Sequence, residues 1–124
     1  MSRILLSINP EHVDKILDGT KRYEFRKVRC KGDISKIIIY CTSPVMKVVG
    51  EATVDGVLDN SPDEIWKITS SSAGISKDFF DRYYEGRTRA IAFKIKCTER
   101  YDEPKELSDY GLSCAPQSFA YIGA

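Results

Sequence analysis

This sequence predicts a mainly β fold with a few helices, of the α+β class, built as a mostly antiparallel sheet or a small closed barrel. Three observations carry that expectation. About five or six runs have strand periodicity or strand composition. Few helical stretches lie between them, so the crossovers that a doubly wound parallel sheet needs are missing. Gly50 and Gly56 fall inside the longest β-rich run, where bulges or the bends of a small barrel would place them.

The elements follow in order. Arg3–Ile8 is a short apolar run closed by Asn9–Pro10, which reads as a strand. Asn9 is placed to cap a helix with Pro10 at its first position. Val13, Ile16 and Leu17 give that helix one apolar side to about Asp18, and Gly19 ends it. In "KRYEFRK", Tyr23 and Phe25 alternate with Arg22, Glu24 and Arg26, the pattern of a half-buried strand. Lys31–Asp33 is a turn. Ser35–Ser43 is strongly β, with three consecutive isoleucines, and Pro44 breaks it. Val45–Leu58 is the β-rich run that holds the two glycines. Ser61, Pro62 and Glu64 open a second helix as a capping box, and Ser76 caps a third that reaches Gly86. Arg89–Cys97 alternates Ile91, Phe93 and Ile95 with Ala92, Lys94 and Lys96, so it is another strand. The tail is punctuated by Pro104, Gly111 and Pro116, with a last strand near Phe119–Ile122.

A chain of 124 residues suits one domain over residues 1–124 and buries a core without a disulfide or metal staple. With 19 Lys and Arg against 18 Asp and Glu, bulk charge drives no binding to nucleic acid or membrane, so any electrostatic site must be local. Four cysteines without a C-x-x-C pair, and one histidine, predict no metal site and reduced thiols, with Cys41 and Cys97 buried as small hydrophobes. No apolar run is long enough for a signal peptide or membrane span, and a cytoplasmic location is expected. Phosphate-loop, dinucleotide-binding, zinc-hydrolase and Ser/His/Asp signatures are missing, so no cofactor is expected.

"GTKRYEFR" fits the pattern G-x-K-x-x-E-x-R and resembles the signature of the ASCH domain superfamily, whose members have a PUA-like fold. "ILLSINPEHVDKILDGTKRYEFRK", "IIIYCTSPVMKVVGEATV", "GISKDFFDRYYEG", "AIAFKI" and "APQSFAYI" are similar, in that order, to the small stand-alone archaeal, bacterial and phage ASCH proteins. The resemblance implies a PUA-like small β-barrel with flanking helices and a cleft beside the motif, in a superfamily suspected of binding RNA. One branch hydrolyses N4-acetylcytidine with a lysine at the Lys21 position, a threonine three residues later and a later glutamate. This chain has Glu24 at the threonine position, and Glu51, Glu64 and Glu85 are the candidates for the later carboxylate.

Each candidate has a functional and a bland reading. Lys21 is a nucleophile or base if desolvation lowers its pKa, or else a solvated lysine. Its odd spacing from Glu24 would put the two on opposite strand faces, so Lys21 is expected in the turn before the strand. Glu24 and Arg26 straddle a ligand, carboxylate to base and guanidinium to phosphate, or pair with each other at the surface. From Lys21 to Lys36, seven basic residues face two acidic ones, either a phosphate footprint or a solvated loop. Tyr40 and Tyr83 stack on a base or belong to the core. Ser43 and Pro44 form a turn beside the cleft or bond their own backbone. Gln117 and Ser118 reach a ligand from the closing segment, and His12 reads as a surface residue. The leading expectation is a module that binds RNA or a modified nucleobase or nucleotide through Lys21, Glu24, Arg26, Tyr40, Ser43, Pro44 and Gln117. The alternative is a small metal-independent hydrolase, an amidohydrolase on N4-acylated cytidine or a ribonuclease, with Lys21 and Glu24 catalytic. A third reading is a regulatory protein that binds a partner protein.

Overall fold

Local signals set most element boundaries. In the computed structural model, which describes residues 2–123, the strands are β1 (Ser2–Ile8), β2 (Tyr23–Arg26), β3 (Ile34–Cys41), β4 (Lys47–Asn60), β5 (Ala90–Lys105) and β6 (Phe119–Ile122). The helices are α1 (Pro10–Leu17), α2 (Pro62–Thr69) and α3 (Lys77–Tyr83). Ser61 Oγ accepts from the Glu64 N–H and Ser76 Oγ from the Phe79 N–H, so both serine caps form. Asn9 does not cap α1 with its side chain; its Oδ1 accepts from Thr42 Oγ1 at 3.2 Å. Gly19 has φ +89° just past α1, a conformation that suits glycine.

The strands form a sheet in the order β2-β5-β4-β3-β1-β6. β1 and β3 run parallel, and the other four neighbouring pairs are antiparallel. Register shifts in β4 fall at Val48/Gly50 and between Val54 and Val57, which brackets Gly56. β5 runs eight residues past Cys97, pairing with β4 as far as Val48↔Lys105. Thr53 pairs with Cys97 but Val54 with Ile95, so an extra residue at Lys96 breaks the alternation. For that reason Cys97 is exposed, against expectation, while Cys41 is buried.

The expected closed barrel is not formed. β2 and β6 remain sheet edges: β2 pairs only with β5 and β6 only with β1, with no backbone ladder between the two. Side chains bridge the seam instead. Arg26 Nη2 donates to the Ser7 carbonyl at 2.9 Å, and Tyr121 Oη donates to the Lys31 carbonyl at 2.8 Å.

Three apolar clusters cover the sheet. On one face Ile37 and Ile39 of β3 and Phe93 of β5 pack with Val13 and Ile16 of α1. Phe25 of β2 and Ala92 of β5 point the other way, under Ile65 of α2 and Phe80 and Tyr84 of α3. Leu5, Ile38, Tyr40 and Val48 form the third cluster, with Tyr101, Leu107 and Tyr110 packed on it. Among the described residues, no helix is long and apolar enough to cross a membrane.

Candidate functional site

The seam holds a cavity of about 180 Å³. Ser7, Ile8, Asn9 and His12 line it from the end of β1 and the start of α1. Lys21, Glu24, Phe25 and Arg26 form its floor, and Ile75, Phe79 and Tyr83 close it from the α3 side. Glu24 pairs with Phe93 across the antiparallel β2–β5 ladder, so its side chain shares the face that α1 covers. That register places a carboxylate over the start of α1 and beside His12.

Lys21 lies before β2, as its odd spacing from Glu24 requires, yet it is 2% exposed. Its backbone N–H donates to the Lys15 carbonyl, and the Arg22 N–H donates to the Ser72 carbonyl, tying this turn to two helical segments. The ammonium donates to the Ala73 carbonyl at 2.8 Å and sits 4.6 Å from the centroid of the Phe25 ring. Burial lowers its pKa to about 8; Glu24 opposes that shift, while Lys15 and Arg26 add to it.

Glu24 is 7% exposed. Its Oε2 accepts from Arg26 Nε at 3.0 Å and lies 2.9 Å from Nη2. Arg26 also donates to the Ser7 and Ser118 carbonyls, the latter at 3.5 Å. Most of its guanidinium is therefore occupied by the protein, and its geometry orients Glu24 and holds the seam. His12 is half-buried, not a surface residue. Its Nδ1 is buried without a hydrogen-bond partner, its ring meets Phe79 edge-on at 5.5 Å, and burial, then Lys21, lowers its pKa. Among the described residues, no group of three or more His, Cys, Asp and Glu is placed to hold a metal ion.

A tyrosine-to-phenylalanine variant of the Zymomonas mobilis ASCH protein superposes with a TM-score of 0.89 at 25% identity, covering 99% of this chain and 91% of that one. The unsubstituted protein superposes at 0.88 with 26% identity. This chain is an ASCH domain. No family model matches it. Its sequence is 29% identical over 93 residues to an ASCH domain-containing ribonuclease of Z. mobilis, covering 74% of this chain and 63% of that relative. It is also 33% identical over 120 residues to the large ribosomal subunit protein uL22 of Ureaplasma parvum, which spans 96% of this chain and only 39% of that relative.

The ASCH motif residues Lys21, Glu24 and Arg26 come together at the pocket, and Tyr83 joins them. Tyr40 does not. It is 4% exposed, in the cluster on the opposite sheet face, because the alternation of β3 turns it away from Ile39 and Cys41. Ser43, Pro44 and Gln117 are exposed and do not line the cavity. The nearest link to the Ser43–Pro44 turn is Thr42, which donates to Asn9. Beside Gln117, the Pro116 carbonyl accepts from Ser7 Oγ and the Ser118 carbonyl from Arg26. Glu51, Glu64 and Glu85 lie outside the pocket, and Glu51 is bound to Tyr101 and Lys36. Sequence reasoning missed Ser7, Asn9, Ile75 and Phe79. The lone histidine was the signal available for His12, but nothing local pointed it inward.

Proposed function

We propose that this ASCH domain acts on RNA, binding one nucleotide in the seam pocket and cleaving the adjacent phosphodiester. The observation that carries this reading is the buried Lys21 amine, with its pKa lowered to about 8, in one cavity with Glu24 and the His12 imidazole, whose Nδ1 has no hydrogen-bond partner. The similarity to a relative named as a ribonuclease supports RNA as the substrate class. With no later glutamate in the pocket and Glu24 at the threonine position, N4-acylcytidine hydrolysis has less support from this site.

Neutral His12 takes the proton of the ribose 2′-hydroxyl as that oxygen attacks phosphorus. The bond from phosphorus to the 5′-oxygen breaks, and the Lys21 ammonium protonates the leaving oxygen, giving a 2′,3′-cyclic phosphate and a 5′-hydroxyl. Glu24, oriented by Arg26, accepts from the ligand. The scheme needs neutral His12 and protonated Lys21. Turnover is therefore expected to be bell-shaped in pH, with an acid limb below 6.5 and an alkaline limb near 8. Lys21→Met is expected to lower turnover of short RNAs at least roughly 100-fold and remove the alkaline limb. A variant with wild-type turnover would sink the catalytic reading. A second reading, recognition without turnover, rests on the hydrogen bond that already holds Lys21 Nζ to the Ala73 carbonyl. It predicts salt-sensitive RNA affinity and no cleavage in the same assay.

A further inference from the structure

A second cavity, of about 60 Å³, adjoins the Lys21 turn at the open edge of β5. Arg22, Lys96, Cys97 and Thr98 line it beside the apolar Ile16 and Ile95. Lys21 lines this cavity and the seam pocket alike, so the two share a wall. Strand pairing explains the opening. β2 pairs with β5 only as far as Tyr23↔Lys94, and the Ile95 N–H donates to the Arg22 carbonyl at 2.9 Å. Past Ile95, among the described residues, no strand lies beside β5 on that side, which leaves backbone N–H groups free along the edge. The bulge at Lys96 interrupts the side-chain alternation there, and three consecutive residues, Lys96, Cys97 and Thr98, border one cavity.

The lining carries three cations, Lys21, Arg22 and Lys96, and no carboxylate. Arg22 and Lys96 are exposed, and among the described residues neither forms an ion pair. Arg22 Nη2 donates to the Ile95 carbonyl at 3.4 Å, which anchors the guanidinium at the rim. Asp18, next to the lining residue Gly19, already accepts from the hydroxyl and the N–H of Thr20. At one third of the seam pocket's 180 Å³, the cavity has no room for a base with its ribose. A small oxyanion uses the guanidinium, the ammonium and the free N–H groups together. We infer that this cavity binds a phosphate-sized oxyanion, held by Arg22, Lys96 and the free edge of β5. The phosphate is either free or a phosphodiester of a strand that reaches past the seam pocket. The site does not depend on the RNA reading, because inorganic phosphate alone fills it.

Cys97 reports occupancy from inside the cavity, and Cys114, exposed and outside both cavities, is the internal control. Cys30 and Cys41 are buried. The full chain is alkylated with iodoacetamide, an uncharged reagent, at constant ionic strength set with chloride, and mass spectrometry follows each cysteine. With a dissociation constant on the order of 1–10 mM, about 50 mM inorganic phosphate is expected to slow alkylation of Cys97 roughly 6- to 50-fold and to leave Cys114 unchanged. Arg22→Gln combined with Lys96→Gln, still folded by thermal melt, loses this protection, whereas Arg22→Lys combined with Lys96→Arg keeps it. A 2′-O-methyl RNA strand, which the scheme above cannot cleave, is the second probe. Protection by that strand alone, lost in the glutamine variant, supports the site and assigns the phosphate to a nucleic acid backbone. Equal slowing of Cys97 and Cys114, protection that survives in the glutamine variant, or no protection of Cys97 by either probe overturns the inference. The RNA reading stands or falls separately, on the turnover of Lys21→Met.

Discussion

The Glu24–Arg26 pair is the clearest case in which a residue's environment changes its role. As an exposed i,i+2 pair on a strand it would contribute at most about 1 kcal/mol. Here the two side chains are only 9% and 16% exposed, and Arg26 also ties β2 to the carbonyls of Ser7 and Ser118. Removing one member of a buried pair strands the other. Arg26→Ala is therefore expected to destabilise the fold by about 3 kcal/mol, since it leaves the Glu24 carboxylate unpaired and opens the seam. Glu24→Gln leaves Arg26 with its carbonyl acceptors and is expected to cost only about 1–2 kcal/mol. Urea denaturation of both variants decides the point, and equal losses would mean that the seam contacts contribute nothing. The sequence made the pairing legible through the spacing of the two residues. It did not reveal that Arg26 faces protein carbonyls, because Ser7 and Ser118 are distant in the chain.

At the scale of elements, the short loop between α2 and α3 forms the back wall of the site. Ala73 supplies the carbonyl that holds Lys21, and Gly74 follows with φ +71°. A Cβ on Gly74 would lie 2.5 Å from Lys21 Cβ and 2.6 Å from its Cγ, the rigid part of the side chain and not its mobile end. Gly74→Ala combines left-handed strain of about 1 kcal/mol with that clash, so a total loss of about 2–4 kcal/mol is expected, together with loss of turnover as Lys21 is displaced. In a Lys21→Gly background, which removes both clashing atoms, the same substitution is expected to cost less, and a double-mutant cycle measures the difference. Strictly additive losses would show that Gly74 does not pack on Lys21. Local signals such as Gly19 past α1 and the Ser61 and Ser76 caps were legible because each acts within a few residues. Gly74 read only as part of a connector, since its partner lies more than fifty positions earlier.

Across the whole molecule, strand alternation showed which residues face a core, but it carries no information on strand order. The expected closed barrel and the observed open sheet share that alternation; they differ only in whether the two edge strands, β2 and β6, pair with each other. The open seam is what leaves room for a pocket with a buried amine and a half-buried imidazole, and their effect reaches global stability. Lys21 titrates near 8 when folded and near 10.5 when unfolded. Between those values the unfolded chain binds more protons, so this residue makes stability rise with pH from about 8 toward 10.5. His12, lowered from 6.5 by burial, has the same sign in its own window and makes the fold weaken on acidification below 6.5. Tyr83, Tyr84 and Tyr101 are raised by burial and act in the opposite sense, so stability falls above about pH 10 as they ionise in the unfolded chain. Comparison with Lys21→Met cancels the tyrosines, because both proteins share them. The unfolding free energy of wild type relative to Lys21→Met is expected to rise by about 3 kcal/mol between pH 7 and pH 10.5, most of it by pH 10. Urea melts of the two proteins across that range provide the measurement. Parallel profiles would show that the Lys21 ammonium is as well solvated in the fold as in the unfolded chain, and the depressed pKa on which its chemistry depends would be gone.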